Sequence, residues 1–196
     1  GTWSYSALNA NPAIQALGTG DTLTETFTVR SVDGTTSTVV VTINGTNDNA
    51  VISSGTGSVT EDVAVSAGRI ATGGTLTVTD SDAGEAAFQA QASTAGTYGT
   101  FTLATDGTWS YSALNANPAI QALGTGDTLT ETFTVRSVDG TTSTVVVTIN
   151  GTNDAALISS DTGSVTEDVS VAAGRIATGG TLTVTDSDSG EAAFQP

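Results

Sequence analysis

The sequence repeats itself with a period of 106 residues, and this constrains every later step. Residues 1–48 are identical to residues 107–154, and 83 of the 90 pairs between 1–90 and 107–196 match. A period of this kind marks a tandem array, in which one folded unit recurs along the chain. It divides the 196 residues into the C-terminal part of one repeat (1–48), a complete repeat (49–154) and the N-terminal part of the next (155–196). Near-identity implies that number and length matter more than individual recognition. Domains reading different ligands would need different surfaces.

One repeat is long enough to bury a core and fold alone. Its apolar residues alternate with Thr and Ser in short runs, which is the chemistry of half-buried strands. Val51-Ile52 with Val59 to Val65 (broken by Gly55-Thr-Gly57), Thr75 to Thr79, Ala86 to Ala92, Tyr98 to Leu103, Thr108 to Ser112, Leu129 to Val135 and Ser143 to Ile149 read as seven strands. Ser66 to Gly74 reads as a turn region, and Asp106-Gly107 as a hairpin turn. The single helical candidate is Asn115 to Leu123, where Asn117 before Pro118 suits an N-cap. The expected fold is all-β: tandem Greek-key sandwiches of immunoglobulin or cadherin type, with about seven strands each and one short helix. Trp109 and Tyr111 share one face of their strand and read as core anchors with Phe101 and Phe133, rather than as a sugar platform. Asn44-Gly-Thr46 and Asn150-Gly-Thr152 match a glycosylation sequon but read as turn residues.

Charge narrows the function. Twenty acids face four arginines and no lysine, a formal net charge of −16. Nucleic acid and anionic membrane surfaces are therefore poor partners, and a cation is the simplest one. The chain has no His, Cys or Met, so thiolate and imidazole metal sites are excluded, as are His- and Cys-based catalytic triads. Oxygen ligands remain, which favours calcium or magnesium. The expectation is a non-enzymatic module.

The acids are not scattered. With strands alternating in direction, Asp80, Asp82, Glu85, Asp106 and Asp139 fall in loops at the leading end of the complete repeat, where the joint brings Asn47, Asp48 and Asn49. Glu61 and Asp62 are placed nearer that end than the other. Seven of the ten acids in residues 49–154 thus gather at one junction. Like charges about 4 Å apart repel by ~1 kcal/mol in water and several-fold more near a protein surface. A calcium ion, taking about 6–8 oxygens, resolves that conflict; a solvated acidic rim is the simpler alternative. Equivalent positions at the next joint are Asn153, Asp154, Glu167, Asp168, Asp186, Asp188 and Glu191. Glu131 shares parity with the buried face of its strand and is expected to pair with Arg69. Glu25 is expected to pair with an arginine in the half of its own repeat that lies outside these residues.

Several linked motifs carry a resemblance. Thr46-Asn-Asp48, Val59-Thr-Glu-Asp62, Leu76-Thr-Val-Thr-Asp-Ser-Asp-Ala-Gly-Glu85, Gly96-Thr-Tyr-Gly-Thr-Phe-Thr-Leu103, Asp106-Gly-Thr-Trp-Ser-Tyr111, Asn115 to Leu123, Thr128 to Val135 and Gly151-Thr-Asn-Asp154 resemble the VCBS-type repeats of large bacterial RTX adhesins. Asn47-Asp-Asn49 also resembles the calcium-binding joint of cadherins. The resemblance implies type I secretion, display on the bacterial outer surface, and extender domains stiffened by calcium at their joints to project a distal binding domain. The glycine-rich nonapeptide repeats of RTX proteins are absent from these residues. One departure is Ala155 where the first joint has Asn49. The competing reading is an adhesion module that itself binds a sugar or peptide.

The expected partners are neighbouring identical repeats in the same chain, with no membrane contact by this region. Residues 1–48 and 155–196 together lack only the counterpart of 91–106 from a full repeat. The expectation is therefore either head-to-tail association of chain ends between molecules, or that these residues are a window on a longer tandem polymer.

Overall fold

In a computed structural model describing all 196 residues, the regular secondary structure is almost wholly strand, with only two one-turn helices. The first partial repeat holds α1 (Pro12–Gln15), β1 (Thr22–Arg30) and β2 (Thr36–Asn44). The complete repeat holds β3 (Val51–Ile52), β4 (Gly55–Thr60), β5 (Arg69–Thr75), β6 (Val78–Thr79), β7 (Gln91–Ala95), β8 (Gly99–Leu103) and β9 (Thr108–Leu114). It continues through α2 (Pro118–Gln121), β10 (Thr128–Arg136) and β11 (Thr142–Asn150), and β12 (Leu157–Ile158) and β13 (Val184–Thr185) follow.

The complete repeat forms a β-sandwich. One sheet has the order β10-β11-β4, the other β5-β9-β8-β7, and β3 pairs with β6. By proximity the chain divides into two compact units. Gly1–Gly57, Thr72–Tyr111 and Glu131–Val147 form the first; Ser58–Ala71, Ser112–Thr130 and Thr148–Pro196 form the second.

The first unit carries the aromatic core. Phe101 stacks on Phe133 with ring centroids 4.7 Å apart and on Trp109 at 5.9 Å, and Tyr111 tilts against Phe133 at 5.9 Å. Leu76, Phe88, Leu103, Val135, Val145 and Val147 complete it. Trp109 and Tyr111 are buried, as the alternation predicts. Rings paired in this way contribute about 0.5–1.5 kcal/mol beyond their buried area. The second unit buries Val59, Ile70, Ala113, Ile120, Leu123 and Ile149. Its short helix is capped as expected, with Asn117 Oδ1 accepting from the Ala119 amide at 3.0 Å and Pro118 at the first helical position, but it is only one turn long.

Several expectations about individual elements change. Ser66 to Gly74 is not all turn: only Ala67 and Gly68 reverse the chain at positive φ, and β5 starts at Arg69. Gly73 and Gly74 are strand residues. A Cβ at Gly73 would lie 2.7 Å from the Trp109 carbonyl oxygen, and one at Gly74 3.0 Å from the Trp109 ring. Glycine serves close approach here, which in sequence looks the same as a turn. The strand expected at Ala86 to Ala92 reduces to a bridge between Phe88 and Ser137, with β7 starting at Gln91.

The Glu131–Arg69 pair is also corrected. Glu131 is buried and takes the Tyr111 hydroxyl on Oε2 and the Tyr98 amide on Oε1 at 3.0 Å. Arg69 donates to Ser112, from Nε to the hydroxyl at 2.6 Å and from Nη2 to the carbonyl at 3.2 Å. In the first partial repeat Glu25 meets Tyr5; the half of that repeat expected to carry its arginine is not among these residues. Burial and then the Glu25 carboxylate push the Tyr5 phenol up from its ordinary value.

Candidate metal centre

In the first unit the loop after β6 folds on its own acids. Asp80 Oδ1 accepts from the Asp82 amide at 2.9 Å, and the Asp82 carbonyl accepts from Glu85 N at 3.3 Å across Gly84, whose φ is +85°. Asp82 is buried, and its Oδ2 accepts from the Asp48 amide of the joint at 2.8 Å. A Cβ on Gly18 would lie 3.1 Å from Glu85 Oε1 and 3.5 Å from Asp82 Oδ2. The loop acids therefore lie directly against the glycine turn that follows α1. Asp139 anchors the other side: its Oδ2 accepts from Ala50 N at 3.0 Å, and it also takes the Ser137 hydroxyl and Thr141. Burial opposes its ionisation, but these bonds prevail and hold its carboxyl well below the usual range.

Three buried oxygens in this cluster have no hydrogen-bond partner: Asp80 Oδ2, Asp82 Oδ1 and Glu85 Oε2. Burial, followed by the charges of Asp82, Asp80, Asp139 and Asp21, pushes the Glu85 carboxyl up. Asp21 is a member that the sequence reading left out, as it did Asp127 one period later. Its signal is local: Asp21 Oδ2 accepts from Gly18 N at 3.2 Å, closing the Gly18-Thr-Gly-Asp21 turn.

The second unit holds a different set. Glu61 is fully buried and lies at the trailing end of its repeat, not the leading one. Its amide donates to Asn150 O at 3.0 Å, its Oε1 accepts from Thr152 N at 2.9 Å and its Oε2 from Gln121 at 3.3 Å. Asp62, at φ +58°, exchanges two bonds with Asn115, amide to Oδ1 at 2.9 Å and Nδ2 to carboxylate at 2.6 Å. Asp188 is buried, its Oδ2 taking the Asp154 amide at 2.9 Å while its own amide donates to Asp186 Oδ1 at 2.9 Å. Asp188 Oδ1 has no partner. A Cβ on Gly124 would lie 3.2 Å from Glu191 Oε1. Burial leads the causes that push Glu61 and Asp154 up, with Asp62 and Asp188 adding repulsion to both.

The joint thus meets acids from two repeats: Glu61 and Asp62 of the one that ends there, and Asp186, Asp188 and Glu191 of the one that begins. Strand counting places Glu61 and Asp62 nearer the leading end because it reads Val51-Ile52 and Val59 to Val65 as one strand broken at Gly55-Thr-Gly57, whereas those three residues open β4. β3 and β4 are separate and pair with different partners, and β4 follows β11 to the trailing joint.

The other expected positions are less engaged. Asn47 and Asn153 turn their amides onto the next carbonyls, Asp48 O at 2.9 Å and Asp154 O at 2.7 Å. Asn49 Oδ1 meets Asn47 Nδ2 at 3.5 Å. Asp106 is exposed and caps its own turn through Thr108 N, a bond that holds its carboxyl down. Glu167 and Asp168 are exposed.

No three acids converge into a ready-made metal cage. The donor set nonetheless fits a hard cation: it is all oxygen, and its orphaned oxygens are buried among like charges, an arrangement that costs free energy without a positive partner. No helix is long and apolar enough to cross a membrane.

Residues 47–151 match the family model described as bacterial cadherin-like domain. The match begins in one acidic joint and ends in the next. No curated protein matches the chain.

Proposed function

Because the chain belongs to the bacterial cadherin-like domain family, we propose that it is a calcium-stiffened extender of a bacterial surface adhesin, of the RTX type with VCBS-like repeats. In this reading it is exported by a type I system and works outside the cell, as a spacer rather than an enzyme. Its repeats project a distal binding domain in adhesion or biofilm formation. The observation that carries the calcium reading is the set of partnerless buried oxygens on Asp80, Asp82, Glu85 and Asp188, each beside a joint. Calcium would be held by Asp80, Asp82, Glu85, Asp48 and Asp21 at the first joint. At the second it would be held by Glu61, Asp62, Asp154, Asp186, Asp188 and Glu191.

Bound calcium supplies positive charge that offsets the mutual repulsion of these carboxylates. The chain supplies the rest. Asp139 fixes Ala50, and Asp82 and Asp188 fix the amides of Asp48 and Asp154, so each joint is already tethered to the repeat it opens. Glu61 tethers the amide of Thr152 to the repeat it closes.

The test is calorimetry and small-angle scattering of the chain in EDTA, magnesium and calcium. Calcium at about 100 times its dissociation constant adds ~2.7 kcal/mol per site, so a higher melting temperature and a narrower distribution of end-to-end distances are expected. Magnesium, which demands tighter octahedral geometry, substitutes poorly. Identical melting and scattering in EDTA and calcium would overturn the proposal.

A further inference from the structure

We propose that the turn after the short helix of one repeat is a docking surface for the acidic loop of the next repeat, and that this dock forms without metal. The inference goes beyond the calcium reading, because its contacts use backbone groups rather than the carboxylates a cation would take.

The helix supplies the acceptor. The last carbonyls of a helix have no partner inside it, and Ala16 and Ala122 cap α1 and α2. Both are met from the repeat that follows. Ala83 N donates to Ala16 O at 3.1 Å, and Ser189 N donates to Ala122 O at 3.1 Å. Ala16 and Ala83 lie within the first compact unit, and Ala122 and Ser189 within the second. The same bond thus recurs one period later, where the repeat that carries the helix is complete.

The loop supplies the donor. Glu85 N donates to Asp82 O at 3.3 Å and Glu191 N to Asp188 O at 3.3 Å, which closes a β-turn in each loop. Gly84 and Gly190 stand at φ +85° and +87°, while Ala83 and Ser189 before them are not at positive φ. This is the pattern of a type II turn. The amide at its second position has no partner within the turn, so it is free to bond another segment. Position 83 is also one of the places where the repeats differ, Ala83 against Ser189. The contact survives that exchange because the backbone makes it.

Glycine sets the fit. Gly18 and Gly124 are buried, and a Cβ there would lie 3.1 Å from Glu85 Oε1 and 3.2 Å from Glu191 Oε1. A bare backbone lets the loop seat against the turn. On the other side, a Cβ at Gly45 or Gly151 would collide with the carbonyl of Gly18 or Gly124. Helix turn, exit joint and incoming loop therefore meet at each joint in one register. Each repeat is oriented on its predecessor before an ion arrives, and calcium clamps an orientation that the backbone has already selected.

Amide exchange of the 196-residue chain in EDTA tests this directly. Ala83 and Ser189 should exchange about five to ten times more slowly than in an unstructured chain, the factor that one net hydrogen bond supplies. Proline suits the second position of a type II turn but has no N–H. The double variant A83P/S189P should therefore keep both turns and broaden the end-to-end distances seen by small-angle scattering in EDTA. The swap A83S/S189A keeps both amides and should scatter as wild type. Unprotected amides at 83 and 189 in EDTA overturn the dock, as does an A83P/S189P chain that scatters as wild type there. The calcium reading fails separately. Protected amides in a chain whose melting ignores calcium would leave the dock standing without the ion, and amides protected only in calcium would do the reverse.

Discussion

The Glu61 carboxylate accepts the Thr152 amide at 2.9 Å from a fully buried position, joining the start of a repeat to the joint that ends it. Gln121 completes the set on the other oxygen. E61A leaves both donors without an acceptor and should cost about 1–3 kcal/mol in metal-free protein. E61Q keeps an acceptor for Thr152 and removes a charge that Asp154, Asp62 and Asp188 repel. It should melt within about 1 kcal/mol of wild type in EDTA yet gain less from calcium. Melts of both variants, with and without calcium, separate the structural role of Glu61 from its part in ion binding.

Much of this was legible in the chain. The period fixed the repeat, and alternation found β8 to β11 within a residue or two. The β1–β2 and β10–β11 hairpins form in both copies, because their pairing is local. Elsewhere identical residues differ in structure: Thr108–Leu114 is strand β9, whereas residues 2–8 are not strand at all. β9 depends on β5 and β8 beside it. That dependence lies in tertiary pairing, which no local pattern carries. The joint acids were legible as a group. The end served by Glu61 was not: a break near Gly55-Thr-Gly57 is legible, but that β3 pairs with β6 while β4 pairs with β11 is not.

Glu131 offers a second test. Its buried carboxylate takes the Tyr111 hydroxyl and the Tyr98 amide. Hydrogen bonds to a charged acceptor are worth about 1.5–3 kcal/mol. Y111F should cost that much in urea-measured stability, and E131L more, because it also strands the Tyr98 amide and the phenol. Neither should change the calcium response, since neither residue lies at a joint.

Glycine 73 tests the close approach of β5 and β9. Its Cβ position lies 2.7 Å from the Trp109 carbonyl oxygen. Backbone cannot swing aside as a side-chain tip can, so G73A should destabilise by about 1–3 kcal/mol. G68A should also be strained, but for a different reason: its φ is +75° with open space around it. An asparagine, which tolerates that backbone, should rescue position 68 and fail at 73. Chemical denaturation of the four single variants decides this.

The pH dependence of the metal-free chain should run against that of ordinary acidic domains. Glu61 and Glu85 are raised above the usual 4.5, and Asp154 above the usual 3.8, chiefly by burial and then by neighbouring carboxylates. A raised acid binds more protons folded than unfolded. Its contribution is therefore present at low pH and lost as pH climbs through the folded value. Asp139 has the opposite sign: its contribution holds above the usual 3.8 and is lost as pH falls below it. In EDTA, stability should thus peak in mild acid and decline toward neutrality. Calcium competes with protons for the same oxygens, so saturating calcium should reverse the slope over that interval. Melting curves across the mildly acidic to neutral range, with and without calcium, check both signs. A metal-free chain more stable at neutrality than in mild acid would show that these carboxylates are not the dominant unfavourable charges.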